Sequence, residues 1–158
     1  AAGAGIDFGL GEAHYPETHL IPNAIYAALG RSVEPFQIFG SDYETIDGTC
    51  LRDYVHVLDI GEAHLLALRN CRERIRVFNL GSGHGFTVSQ VVRECERQLE
   101  QVIPKVFGER RDGDLPMLVA SSALANQDLG WRPLYSDLET IISSAIQWHR
   151  DMQPELFP

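Results

Sequence analysis

The strongest chemical hint in this sequence comes from two arginines. Arg52 lies in CLRDYVHVLD, from Cys50 to Asp59, and Arg111 lies in ERRDGDLP. Each sits beside a loop rich in glycine, aspartate or threonine and close to a run with strand character. Guanidinium groups make forked, charge-assisted bonds to phosphate oxygens. A chain of formal net charge −9 needs such local exceptions to hold an anionic ligand. The same residues also allow a plainer reading. Arg52 could pair with Asp47 or Asp53, and Arg111 with Asp112 or Asp114, as surface ion pairs of modest worth. Asp114, bracketed by Gly113 and Pro116, could accept from vicinal ribose hydroxyls or could cap a turn.

Other motifs say less. NLGSGHG, from Asn79 to Gly85, resembles a phosphate-cradling turn between a strand and a helix. Its glycines alternate, however, and G-x-G-x-x-G does not occur there, so a tight connection is the preferred reading over a dinucleotide loop. The histidines show no H-x-x-x-H spacing, and no metal site is expected from them. No G-x-S-x-G turn and no Y-x-x-x-K occurs, so no catalytic residue and no cofactor-binding residue is expected in this chain. Cys50, Cys71 and Cys95 form no CxxC pair and read as reduced thiols, which fits a cytoplasmic protein. The net charge argues against nucleic acid as a partner, since RR at Arg110–Arg111 and RERIR at Arg72–Arg76 make no basic patch. No apolar run approaches the roughly 18 to 20 residues that span a bilayer, so no membrane partner is expected.

The elements that must position these residues alternate between strands and amphipathic helices, which indicates α/β. Residues 1–18 read as a long surface loop. A helix follows over IPNAIYAALG, with Pro22 in its first turn, Ile21, Ile25 and Leu29 on one face, and Gly30 as its stop. FQIFG, DYVHV, IRVFNLGSG, PKVFG and PMLVAS read as strands, the third of them buried. Asp59 is predicted to cap a helix over IGEAHLLALRN. Thr87 and Gln90 form a capping box ahead of a helix whose stripe is Val88, Val91, Val92, Cys95 and Leu99. A brief helix runs from Ser122 to LGW. Ser136 and Glu139 suggest a second capping box, opening a helix that buries Leu138, Ile141, Ile142, Ala145 and Ile146.

Taken in order, ETHLIPNAI, FQIFGSDYETIDGTCLRDYVHVLD, FNLGSGHGFTV, RRDGDLPMLVAS and LGWRP resemble the C-terminal half of the UDP-glucose 4-epimerases. These belong to the extended short-chain dehydrogenase/reductase family, and the resemblance spans essentially the whole chain. It implies a fold of class α/β: the C-terminal substrate-binding portion of an extended short-chain dehydrogenase/reductase, with mixed small strands and helices, lacking most of the Rossmann sheet. Residues 1–158 would then form one UDP-sugar-binding portion that begins inside a longer protein. NAD would be bound by an N-terminal half, and VFNLG would join the edge of that half's sheet.

The resemblance also implies roles. Arg52 and Arg111 fall where the family grips the UDP diphosphate, and Asp114 falls where the uridine ribose is held. Gln37, Ile38 and Phe39 match the segment bordering uracil. His19 and Leu20 match a stretch beside the diphosphate, Val88 would touch the nucleotide, and Leu118 would border the hexose. The implied activity of the full-length protein is interconversion of UDP-glucose and UDP-galactose. A hydride leaves C4, a 4-keto intermediate forms, and the hydride returns to the opposite face. The full-length enzyme is expected to be a homodimer and this portion alone inactive. Two alternatives remain open: a sibling epimerase acting on a UDP-pentose or UDP-uronate, and a non-catalytic UDP-sugar-binding remnant.

Overall fold

In a computed structural model of the chain, residues 1–32, 34–70 and 75–152 are described. Cys71 and most of the RERIR run lie outside the described residues. After a 3-10 turn at Ile6–Phe8 come α1 (Leu20–Ala28), β1 (Phe36–Phe39), β2 (Leu51–Arg52), α2 (Val57–Asn70) and β3 (Phe86–Thr87). The second half adds α3 (Val88–Leu99), β4 (Lys105–Gly108), β5 (Met117–Leu118), α4 (Ala123–Leu129) and α5 (Leu138–Met152).

The apolar stripes meet as their spacing predicts. Ile21, Ala24 and Ile25 of α1, Val91, Val92 and Cys95 of α3, and Ile141, Ile142, Ala145 and Ile146 of α5 form one core with Phe36 and Ile38 of β1. Burying each large aliphatic side chain there contributes about 1.5 to 3 kcal/mol. Helix α1 stops as expected. Gly30 takes φ 66°, its N–H bonds Ala27 O at 3.2 Å, and Arg31 N bonds Tyr26 O at 2.8 Å. That pair of bonds is a Schellman motif, which a side chain in the left-handed region would strain. The Thr87–Gln90 capping box closes in both directions at the start of α3.

Two small sheets frame the core. β1 and β4 pair in parallel, from Phe36 opposite Lys105 to Phe39 opposite Gly108. The other sheet has the order β3-β2-β5, with β2 antiparallel to β3 and parallel to β5. A second core of Val55, Ala63, Ala125, Leu129 and Trp131 joins α2 to α4.

Several expectations need correction. The strand expected over DYVHV is shorter and earlier: β2 covers Leu51–Arg52, and α2 begins at Val57. Asp59 therefore sits inside the first turn of α2 rather than at its cap. It is buried and accepts from Leu134 N at 2.8 Å, Tyr135 N at 3.0 Å and Ser136 Oγ at 2.5 Å. Because Ser136 serves Asp59, the second capping box does not form. Asp137 caps α5 in its place, accepting from Thr140 N at 2.8 Å. IRVFNLGSG is not a buried strand. Its described residues make no ladder, and Ile75 and Val77 are exposed while Phe78 and Leu80 pack on the second core. A strand needs a neighbour to satisfy its backbone, and none lies beside this run among the described residues.

Residues 1–18 are also not wholly a surface loop. Ala2 N donates to Val55 O and Val57 N to Ala2 O, both at 2.9 Å, and Ala4 is buried. Gly3, at φ 76°, lies against His56, where a β-carbon would come within 2.6 Å of the ring. Among the described residues, no helix is long and apolar enough to cross a membrane.

Candidate functional site

A cavity of about 650 Å³ opens between the start of α1, the strand β1, and the loop that carries Arg111 and Asp114. The predicted residues His19, Leu20, Gln37, Ile38, Phe39, Arg52, Val88, Arg111 and Asp114 all line it. Leu118 stands outside this lining, half-exposed on β5 and paired with Arg52 across the β2-β5 ladder.

The turn ahead of β2 sets where Arg52 points. Gly48 takes φ 79°, and a β-carbon there would come 2.1 Å from Ser41 O, so glycine is required. Asp47 accepts from Thr49 N at 3.1 Å, Thr49 Oγ1 at 2.7 Å and Thr87 Oγ1 at 2.5 Å. Burial pushes the Asp47 pKa up, but the bonds from Thr87 and Thr49 and the charge of Arg93 outweigh it, leaving a net depression. Asp47 thus ties the β2 turn to the first turn of α3, which also carries Val88. The sequence reading offered Asp47 only as a partner for Arg52. The D-G-T run was the signal for its positioning role.

Arg52 binds neither Asp47 nor Asp53. Its Nη1 donates to Leu51 O at 2.9 Å and Leu115 O at 2.8 Å, and its Nη2 donates to Asp114 at 3.2 Å. Arg111 donates from Nε to the other oxygen of Asp114 at 2.8 Å and lies over the Phe39 ring, 4.8 Å from its centroid. One carboxylate therefore orients two guanidinium groups on the same wall. Arg110 turns away from the cavity, pairing with Asp42 at 2.7 Å and stacking on Tyr43. The local pairing expected for Arg111 with Asp114 is present.

Strand β1 supplies another wall. Phe36 N bonds Pro104 O and Gly40 N bonds Gly108 O, so alternate backbone groups face β4. The amide and carbonyl groups of Gln37 and Phe39 face the opposite edge, where no described strand pairs. Tyr54 also lines the cavity. Burial pushes its hydroxyl up to about 12, against the lowering effect of Arg52 and with smaller upward pushes from Cys50 and Cys95. It stays a neutral phenol near pH 7 and cannot serve as a base there.

The glycine turn 81–85 does not hold a phosphate. Asp53 fills it, accepting from Ser82 N at 2.9 Å, Ser82 Oγ at 2.6 Å, Gly83 N at 3.3 Å and Ala120 N at 3.2 Å. A β-carbon at Gly81 would come 2.6 Å from Asp53 Oδ2. The N–H groups that could cradle a dinucleotide are spent on a carboxylate of the chain itself. The turn therefore does not fit NAD.

This architecture has known counterparts. A family described as "NAD dependent epimerase/dehydratase family" matches residues 8–81. The chain is similar to the UDP-glucose 4-epimerase of Halalkalibacterium halodurans, with 45% identity over 96% of this chain and 46% of that protein. Its fold is similar to a UDP-glucose 4-epimerase from Brucella ovis in complex with NAD, with TM-score 0.85 and 46% identity over 92% of this chain and 45% of that one. A further counterpart is a UDP-glucose 4-epimerase from Bifidobacterium longum in complex with NAD+ and UDP. There the TM-score is 0.86 and the identity 31%, over 99% of this chain and 46% of that one. The chain thus spans about half the length of the relatives it matches. Across that half the chain is similar, in sequence and in fold, to these UDP-glucose 4-epimerases, and the NAD dependent epimerase/dehydratase family model matches part of it.

Proposed function

We propose that this chain is the UDP-sugar-binding, C-terminal portion of an NAD-dependent UDP-glucose 4-epimerase. The observation that carries the reading is the Arg52–Asp114–Arg111 cluster, set in a cavity also lined by β1, whose free edge pairs with no described strand. Arg111 commits its Nε–H to Asp114, and among the described residues its terminal amino groups are not engaged. Those groups, with the remaining donors of Arg52, are suited to the oxygens of a diphosphate. The edge groups of Gln37 and Phe39 can meet the imide of a uracil, and the Phe39 ring offers it a face. Asp114, which lines the same cavity, would accept from a ribose hydroxyl. Similarity to a structure solved with UDP supports this assignment.

In the complete enzyme NAD supplies reversible hydride transfer. The residues present here bind and orient the nucleotide, so that binding energy concentrates on the part of the substrate that does not react. No group in the cavity needs to act as a base, in keeping with the neutral Tyr54. The test is calorimetric titration of the chain with UDP, uridine and pyrophosphate. One UDP should bind per chain, more tightly than either part, and Arg52→Ala should weaken UDP and pyrophosphate but not uridine. Absence of UDP binding by a folded sample, or equal binding by Arg52→Ala, would refute the assignment.

A further inference from the structure

The loop before α1 brings together three residues that the sequence spacing kept apart as candidates. Glu12 Oε1 lies 3.5 Å from His14 Nδ1 and 3.5 Å from His19 Nδ1. The ligating atoms of all three residues fall within 4.8 Å of one another. The two imidazoles meet edge to face, with centroids 5.1 Å apart. We propose that Glu12, His14 and His19 form a divalent transition-metal site of the zinc class on the rim of the cavity.

The distances carry the argument. A tetrahedral ion with bonds of about 2.0 to 2.1 Å sets its ligand atoms about 3.4 Å apart. Both Glu12–histidine separations already match that edge, and a small rotation of half-exposed side chains closes the third. Two neutral imidazoles and one carboxylate suit zinc better than calcium or magnesium, which prefer all-oxygen shells. Three protein ligands leave a position for water, as in open zinc sites.

The backbone holds these ligands in place. Gly11 lies flat on Trp148, where a β-carbon would come 2.2 Å from the ring, and Trp148 Nε1 donates to Glu12 O at 2.9 Å. His19 is the N-cap position of α1. Glu17 now accepts from His19 Nδ1 at 2.8 Å, and from Thr18 N and His19 N at 2.7 Å each. A metal would take the lone pair of His19 Nδ1 in exchange for the first of these bonds, and Glu17 would keep the two backbone donors. The ion would then clip the irregular loop 12–18 to the start of a helix, closing a chain segment that has little regular structure of its own.

The site shares His19 with the cavity lining, whereas Glu12 and His14 stand outside it, so the variants used in the test leave the cavity wall unchanged. The test uses untagged protein titrated with cobalt(II), followed by visible absorption, by quenching of Trp148 fluorescence and by displacement with zinc(II). One cobalt ion should bind per chain with the intense absorption of a four- or five-coordinate ion. Zinc should displace it. His14→Ala and Glu12→Gln should each weaken it by more than the about 10- to 100-fold typical of losing an outer-shell partner. Both positions are exposed, so circular dichroism should report unchanged folding. Weak, six-coordinate cobalt absorption, or wild-type affinity in His14→Ala, would overturn the site.

Discussion

Asp114 stands between two guanidinium groups, and its two roles make different predictions. As a counter-ion it restrains positive charge that a diphosphate would otherwise meet. As a ribose acceptor it adds a bond that only a nucleoside can use. Asp114→Ala should therefore weaken UDP binding while leaving pyrophosphate affinity unchanged or raised. Equal changes for both ligands in calorimetry would leave it the counter-ion role alone. Arg52 is the more buried and more fully held of the two arginines. Arg52→Ala should cost about 1.5 to 3 kcal/mol of UDP affinity, the range for charged hydrogen bonds, with Arg111→Ala toward the lower end because water competes for its exposed donors. Leu118 lies opposite Arg52 in the β2-β5 ladder but outside the cavity lining. If a hexose extends past that strand in the complete enzyme, Leu118→Tyr should selectively reduce kcat/KM for an N-acetylated UDP-sugar relative to UDP-glucose. An unchanged ratio would remove Leu118 from substrate recognition.

At the scale of elements, buried polar groups decide how the pieces join. Asp59 links α2 to the segment that leads into α5, and Trp131 Nε1 donates to its carbonyl at 2.8 Å. Asp59→Ala would leave two part-buried backbone donors and a buried hydroxyl without their acceptor. It should destabilise the fold by about 3 kcal/mol or more, read as a lower denaturant midpoint. His56 joins the N-terminal segment, α2 and α5. Leu58 N donates to its Nδ1 at 3.1 Å, so that nitrogen carries no proton, and Nε2 donates to Ser144 Oγ at 3.0 Å. Burial lowers the pKa of His56 below the usual histidine range, against the upward pull of Asp59 and Asp137. Burial does the same at His149, opposed by Glu17. In both, the unfolded chain takes up protons before the folded one does. The stability they contribute is complete above the unfolded value of about 6.5 and is lost as pH falls from there through the folded values. Denaturant midpoints should drop across that window. The slope should flatten in a His56→Asn, His149→Gln double variant, and persistence of the full slope would assign it to other groups.

Across the whole molecule, many large apolar side chains are left uncovered. Phe8, Leu10 and Leu134 line an open groove, and Leu65 and Leu68 of α2 and the run through Ile75 and Val77 are also exposed. Exposed apolar surface, together with a run that has no ladder partner among the described residues, favours association. The 158-residue chain is expected to self-associate in concentration-dependent light scattering. It is also expected to show no epimerase turnover in a coupled assay with UDP-galactose and NAD, because its glycine turn is filled by Asp53 and its cavity tyrosine is neutral. A compact monomer at high concentration, or turnover by material free of host enzyme, would contradict these expectations.

Much of the local structure was legible in the sequence, because it depends on contacts a few residues apart. The stripes of α1, α3 and α5, the Gly30 stop and the Thr87–Gln90 box follow from helical spacing and from the backbone freedom of glycine. The arginines and Asp114 could be singled out by residue type, with salt-bridge and anion-binding readings both open, and nine of the ten residues that the family resemblance implied line one cavity. Their partners could not be read, since Arg52 meets Asp114 across 62 positions and Asp53 reaches the glycine turn across 29. The misplaced strand at DYVHV and the unformed cap at Ser136 have the same origin. Asp59 draws Ser136 from 77 positions away, and that bond outweighs a local capping preference. Residue type and short spacing therefore determined which groups could do chemistry. Only the tertiary structure decided which of them spend their hydrogen bonds on one another and which remain to meet a ligand, because that competition is settled between segments distant in the chain.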